Sequence, residues 1–321
     1  MNGADIRAAL TQMLQGEMDT PQIVKTLVQI ENEGVGAQQL AAGAAVMREH
    51  MTRVTVPKNA IDIVGTGGTG LKLLSISTAT SFVVAGAGVP VAKHGNRGAS
   101  SPTGTADTQS ELGINIVMTP DRAAAAVGEV GMGFLFAPTY HPAMRFVGPA
   151  RKEIGKRTIF NRLGPLCNPS EVKYMLLGTS ESRLVRPMAE ALHANGVSSA
   201  MVVHGHDGMD EITTTGPTKV AQLINGEITE FEITPEAFGL KQAKLSDLSG
   251  GEPAVNAAAL SALLDGEASG YRDIVLFNAG AALRIAGKAS SIEQGITLAA
   301  ESLDSGKAKS VLTHLAEFSH A

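Results

Sequence analysis

Apolar positions over the first 57 residues recur at helical spacing. Ile6, Leu10, Met13 and Leu14 mark one face. Thr20-Pro21 reads as an N-cap with proline at the first helical position, followed by Ile23, Val24, Leu27 and Ile30. Leu40, Ala44 and Met47 mark a third helix ending near His50. These stripes need a partner, and a small helical bundle supplies it. From Ile61 the pattern changes. Short apolar runs at 61–64, 89–92, 114–118, 133–137, 175–178 and 199–204 alternate with helical patterns, one of them Ser77 to Gly86. That alternation predicts a mostly parallel sheet with helices on both faces. Val220–Leu223 and Ile228–Ile233 flank Asn225-Gly226, a hairpin signal. Helices are predicted around 254–265 and 274–287, with a last one near 290–304. Residues 139–170 interrupt the rhythm. There, one helix carrying Arg145 and Arg151 leads into RTIFN and a proline-punctuated loop. This insertion either packs back on the N-terminal helices and walls a cleft, or is a plain crossover with solvated arginines.

Composition narrows the class. The 321 residues are 44% hydrophobic, 18% charged and only 4% aromatic, with 36 glycines, which favours close-packed α/β layers. The net charge of -5 argues against nucleic acid as a partner. A single cysteine, Cys167, excludes an internal disulfide and a cysteine-based zinc site. No apolar run reaches the roughly 18 residues of a membrane span, and the N-terminus lacks a signal-peptide pattern. A soluble cytoplasmic protein is the expectation.

The chemistry concentrates between Ile61 and Asp107. A strand runs into Gly65-Thr66-Gly67-Gly68-Thr69-Gly70, then Leu73-Leu74-Ser75-Ile76-Ser77-Thr78 opens a helix. The turn contains G-x-G-x-x-G, but the next strand ends in Lys93-His94 rather than an acid, against a dinucleotide site. Ser75 to Thr78 put hydroxyls and first-turn N–H groups at a helix N-terminus, an anion position if more than a plain cap. Lys93, His94, Gly95, Asn96 and Arg97 follow the second strand, where ligands bind in parallel sheets. A second loop with Ser100, Ser101, Gly104 and Thr105 lies after them. Two donor-rich loops with cations between them suit a ligand bearing more than one phosphate. Asp210-Glu211 could hold magnesium beside such phosphates, or be an ordinary surface pair. His204 and His206 lack a third ligand for zinc. No Ser/His/Asp arrangement announces a nucleophile.

GTGG, SIST, KHGNR with its two serines, FLFAP with HPAM, RKEIGKRTIFN, LGPL with NP, and HGHDGMDEITTTGPT together resemble anthranilate phosphoribosyltransferases, in order and over nearly the whole chain. The resemblance implies the fold of class III nucleoside-phosphorylase-like transferases. A small helical domain, residues 1–57 joined by the insertion near 139–170, would be hinged near 57–60 to a large α/β domain, 58–321. It implies a homodimer formed through the helical part, and transfer of phosphoribose from its diphosphate to anthranilate. It also implies roles by position. Gly65, Gly68, Thr69, Leu73, Ser75, Ile76, Ser77 and Thr78, then Lys93 through Arg97 with Ser100, Ser101 and Thr105, would bind phosphoribosyl diphosphate. Gly65, Asn96, His141 and Arg151 would bind anthranilate, Arg151 pairing its carboxylate. Two magnesium ions are implied, Ser77 holding one and Asp210 and Glu211 ligating. The chain departs from the family's GTGGD and NIST at Thr69 and Ser75, and carries Leu73-Leu74 before the latter. These departures keep two other readings open: a transferase with another aromatic acceptor, and a non-catalytic polyanion-binding paralogue.

Overall fold

A computed structural model of the chain describes residues 1–98 and 102–321. Three helices open it, α1 (Gly3–Gln15), α2 (Thr20–Glu33) and α3 (Ala37–Glu49). The cap of α2 is Asp19, one residue earlier than expected. Its carboxylate accepts from Gln22 N–H while the Gln22 side chain accepts from Asp19 N–H, a reciprocal cap stronger than a lone threonine.

Strands and helices then alternate: β1 (Ile61–Gly65), α4 (Ile76–Gly86), β2 (Val91–Gly95), α5 (Thr105–Glu111), α6 (Pro120–Glu129) and β3 (Met132–Phe136). The insertion follows as α7 (Ala137–Tyr140), α8 (Gly148–Ile154) and α9 (Ile159–Leu163). The sheet resumes with β4 (Tyr174–Gly178), α10 (Val185–Ala194), β5 (Ser199–Gly205), β6 (Thr218–Ile224) and β7 (Glu227–Ile233). Four helices close the described chain: α11 (Pro253–Leu264), α12 (Gly270–Ile285), α13 (Ile292–Asp304) and α14 (Lys307–His320).

The seven strands run β3-β2-β1-β4-β5-β6-β7, with β3 through β5 parallel and the last two antiparallel. The parallel strands are apolar on both faces because helices cover both. The hairpin turn puts Asn225 and Gly226 at φ +51° and +87°, the left-handed conformations that a tight two-residue turn needs. No described helix is long and apolar enough to cross a membrane.

Several expectations change. Residues 114–118 form no strand. Ile114, Ile116 and Met118 are buried, but Asn115 spends its backbone N–H and its amide on Ser319 at the end of α14. The segment docks a helix instead of extending the sheet. The second strand begins at Val91 because Pro90 has no N–H to give a ladder. The sequence pattern missed α14, although Ala308, Val311 and Leu315 are buried at helical spacing. The single helix expected to carry Arg145 and Arg151 is split. Arg145 lies on a 3-10 turn, Pro142–Phe146, and Arg151 lies on α8, with Gly148-Pro149 opening the new helix.

The insertion does pack back: α8 against α2, α9 against α3, and the 3-10 turn against α1. Arg162 on α9 fastens it. Its Nη1 donates to both carboxylate oxygens of Glu31 on α2 at 2.9 and 2.7 Å, and its Nε donates to Glu181 after β4 at 2.6 Å. The guanidinium is almost buried, and removing it leaves Glu31 without its partner while Glu181 keeps only Arg183. Arg162→Ala is expected to cost about 3 kcal/mol of unfolding free energy, read as a lowered urea midpoint.

Candidate active site

The carboxyl ends of β1 and β2, with residues that follow β3 and β5, line one cavity of about 720 Å³. Its floor is a buried polar knot. Asp62, on the central strand β1, is fully buried and accepts from His94 N–H at 3.2 Å and from the Asn168 amide at 2.8 Å. Asn168 also donates to Ala92 O at 2.8 Å. Burial pushes the Asp62 carboxyl up to about 6, against the pull of Lys93. Lys93 is 1% exposed and donates to Ile63 O at 2.5 Å. Burial lowers its pKa, with the charges of Asp62, Glu211 and Asp210 opposing.

Above the floor, the glycine loop and the acidic pair meet at close quarters. Gly65 and Gly178 are paired in the β1–β4 ladder. A Cβ on Gly178 would collide with the backbone carbonyl of Asp210, and one on Gly65 with its carboxylate. Only glycines let the 205–211 loop cross these strand ends. Asp210 accepts from Gly67 N–H at 2.7 Å. Burial raises the Asp210 and Glu211 carboxyls, and the neighbouring Asp210 charge raises Glu211 further. The Ser77 backbone at the start of α4 acts on the Glu211 carboxyl to lower its pKa. Two adjacent carboxylates held this way favour a cation. Among the described residues no cluster of three or more His, Cys, Asp or Glu side chains is formed. Oxygen atoms of a bound anion would have to complete a hard-cation shell.

The α4 start is tied to its neighbours through hydroxyls. Thr78 Oγ1 and Thr105 Oγ1 lie 2.7 Å apart, as do Ser75 Oγ and Thr108 Oγ1. The Asn256 amide donates to Ser75 Oγ at 3.2 Å and to Leu73 O at 3.1 Å. Thr69 Oγ1 accepts from Leu71 N–H at 3.1 Å, a local turn bond. Arg97 leans outward to Asp107 at 2.8 Å.

The opposite wall is apolar and basic. His94 and His141 rings lie 5.2 Å apart, tilted by 51°. Arg151 reaches Asn161 Oδ1 at 3.4 Å and stands 5.8 Å from the Phe160 ring, its pKa lowered by burial. Every site residue expected from the sequence lines this cavity where described. Ser100 and Ser101 lie outside the described residues. Sequence reasoning missed Asp62, Asn168, Arg157, Ser180 and Asn256.

A family model described as the glycosyl transferase family, a/b domain, matches residues 57–309. The anthranilate phosphoribosyltransferase of Parvibaculum lavamentivorans is 53% identical over 315 residues, covering 98% of this chain and 92% of that one. The chain belongs to the anthranilate phosphoribosyltransferase family. The family enzyme of Thermus thermophilus superposes with a TM-score of 0.94 at 40% identity, covering 100% of this chain and 96% of that one. The Saccharomyces cerevisiae enzyme, solved in complex with PRPP and Mg, superposes with a TM-score of 0.92 at 27% identity, covering 100% and 94%.

In this member of the family the two imidazoles are neutral walls. Burial holds His94 down to about 3, helped by the adjacent His141, and burial holds His141 down to about 4. Below the ordinary 6.5 the unfolded chain takes up protons that the native state refuses, so stability falls as pH falls. His141→Gln removes one such proton difference. Between pH 7 and pH 5 the parent chain is expected to lose about 2 kcal/mol more than the variant, measured by urea unfolding at both pH values.

Proposed function

We propose that this chain transfers the phosphoribosyl group of 5-phosphoribosyl 1-diphosphate to the amine of anthranilate, giving N-(5-phosphoribosyl)anthranilate and pyrophosphate. One observation carries the reading. A single cavity joins a donor-rich cradle, with Lys93 and an acidic pair, to an apolar pocket holding the half-buried Arg151. In our assignment the loop from Gly65 to Thr69 and the α4 start, Ser75 to Thr78, take the diphosphate. Lys93, Asn96 and Thr105 take the remaining phosphate and ribose oxygens. Asn96 and His141 flank the aromatic acceptor, and Arg151 pairs its carboxylate as a planar fork.

The donor set fits a hard divalent cation. Ser77, Asp210 and Glu211 offer oxygen only, and the carboxyls sit at raised pKa without a cation beside them. We assign two magnesium ions to these residues together with the diphosphate. When bound, magnesium offsets the charge that builds on the departing pyrophosphate.

No residue is needed as a strong base. Departure of pyrophosphate leaves positive charge on the sugar carbon, which the neutral aromatic amine then attacks, its surplus proton passing to the released pyrophosphate. The protein supplies position and fixed charge. Lys93 is held dry by Asp62 and Ile63, so its charge is worth more to a phosphate than in water. We further propose that residues 1–57 move as a unit with the insertion about a hinge near 57–60. Such closure would exclude the water that otherwise hydrolyses the diphosphate. A cytoplasmic homodimer joined through the helical part completes the reading.

Arg151→Ala tests it. The anthranilate KM is expected to rise about 100-fold while the phosphoribosyl diphosphate KM stays within about threefold. An unchanged anthranilate KM contradicts the assignment.

A further inference from the structure

The segment between α8 and α9 carries a second arginine that the diphosphate and acceptor assignments leave unused. Arg157 leaves the insertion and lies flat against Gly68, where a Cβ would collide with its guanidinium. Its Nη1 donates to Gly67 O at 2.9 Å, Gly68 O at 3.1 Å and Ser180 Oγ at 2.8 Å. Ser180 Oγ itself donates to Gly67 O at 3.0 Å, and Ser180 N–H donates to Thr66 Oγ1 at 3.2 Å. These bonds fix the carbonyl side of a turn whose Gly67 N–H is held by Asp210 at 2.7 Å. Gly67 and Gly68 are exposed at φ +62° and +72°.

A trans peptide points its C=O and the following N–H in opposite directions. Drawing the carbonyls of Gly67 and Gly68 onto Arg157 therefore turns the N–H groups of Gly68 and Thr69 away from it. Neither N–H donates to a described residue, and both residues line the cavity. The arrangement has a cost. Arg157 Nε and Nη2 are buried with no partner among the described residues, although a free arginine would turn them to water. The side chain is kept in place by what Nη1 holds.

We propose that Arg157 is a positioning residue for the diphosphate: by fixing the Gly67 and Gly68 peptides it aims the Gly68 and Thr69 N–H groups at the anion. This rests on the transferase reading above. The same short segment joins Arg151 at one end to Asn161 at the other, so one piece of chain shapes both substrate sites.

The test compares the parent chain with Arg157→Ala and Arg157→Lys. Binding of inorganic pyrophosphate with magnesium is read by calorimetry, both KM values by initial rates, and folding by melting temperature. The alanine variant is expected to bind pyrophosphate about tenfold more weakly and to raise the sugar-diphosphate KM about as much, with the anthranilate KM within about twofold. Lysine, which can reach one carbonyl but not both, is expected to recover part of the loss. Pyrophosphate affinity within about twofold of the parent, or an equal rise in both KM values, overturns the proposal. Should the alanine variant fail to fold, the lysine variant decides alone by the same split. If the parent chain releases no pyrophosphate in response to anthranilate, the transferase reading fails, while the pyrophosphate-binding comparison still decides the role of Arg157.

Discussion

A carboxylate and an ammonium, buried on neighbouring central strands, constrain everything above them. Asp62 and Lys93 are both closed to water, which disfavours either charge on its own. They persist because each is bonded: Asp62 by Asn168 and His94 N–H, Lys93 by Ile63 O. The arrangement fixes where β2 ends and which way Lys93 and His94 point. It also reaches beyond the sheet, because Asn168 belongs to the chain that follows α9. The insertion is thereby anchored at its far end to β1 and β2.

That anchor turns an interruption of the α/β rhythm into a working wall. Between β3 and Asn168 the insertion presents His141 and Arg151 to the cavity, grips the glycine loop through Arg157, and clasps α2 through Arg162. In the proposed assignment the sheet supplies the anion side from strand ends and a helix start, and the insertion supplies the aromatic side. The glycines at 65 and 178 let Asp210 close the gap between them. In the proposed assignment both substrates are placed by backbone and by buried, hydrogen-bonded charges, which suits a reaction that depends on placement and fixed charge.

Much of this was legible in the sequence, for identifiable reasons. Short apolar runs ending in GTGG or KHGN announce both a parallel strand and the loop at its carboxyl end, so β1, β2 and their site residues could be read together. Asn225-Gly226 named its own turn. The illegible parts are those where a long-range partner decides. Residues 114–118 alternate like a strand, yet Ser319, some 200 residues later, takes their hydrogen bonds. Arg157 stands in a motif that was read as a whole, but nothing local says that its guanidinium faces Gly68. Asp62 interrupts an apolar strand, a signal of a buried polar partner that goes unread until Asn168 is seen beside it.

The central claim is that one cavity couples the diphosphate to an aromatic amine. The most direct measurement is pyrophosphate release from phosphoribosyl diphosphate, with and without anthranilate, across a magnesium series. The account predicts release only when anthranilate and magnesium are both present. Release indifferent to anthranilate, or none at all from a folded chain, would contradict it.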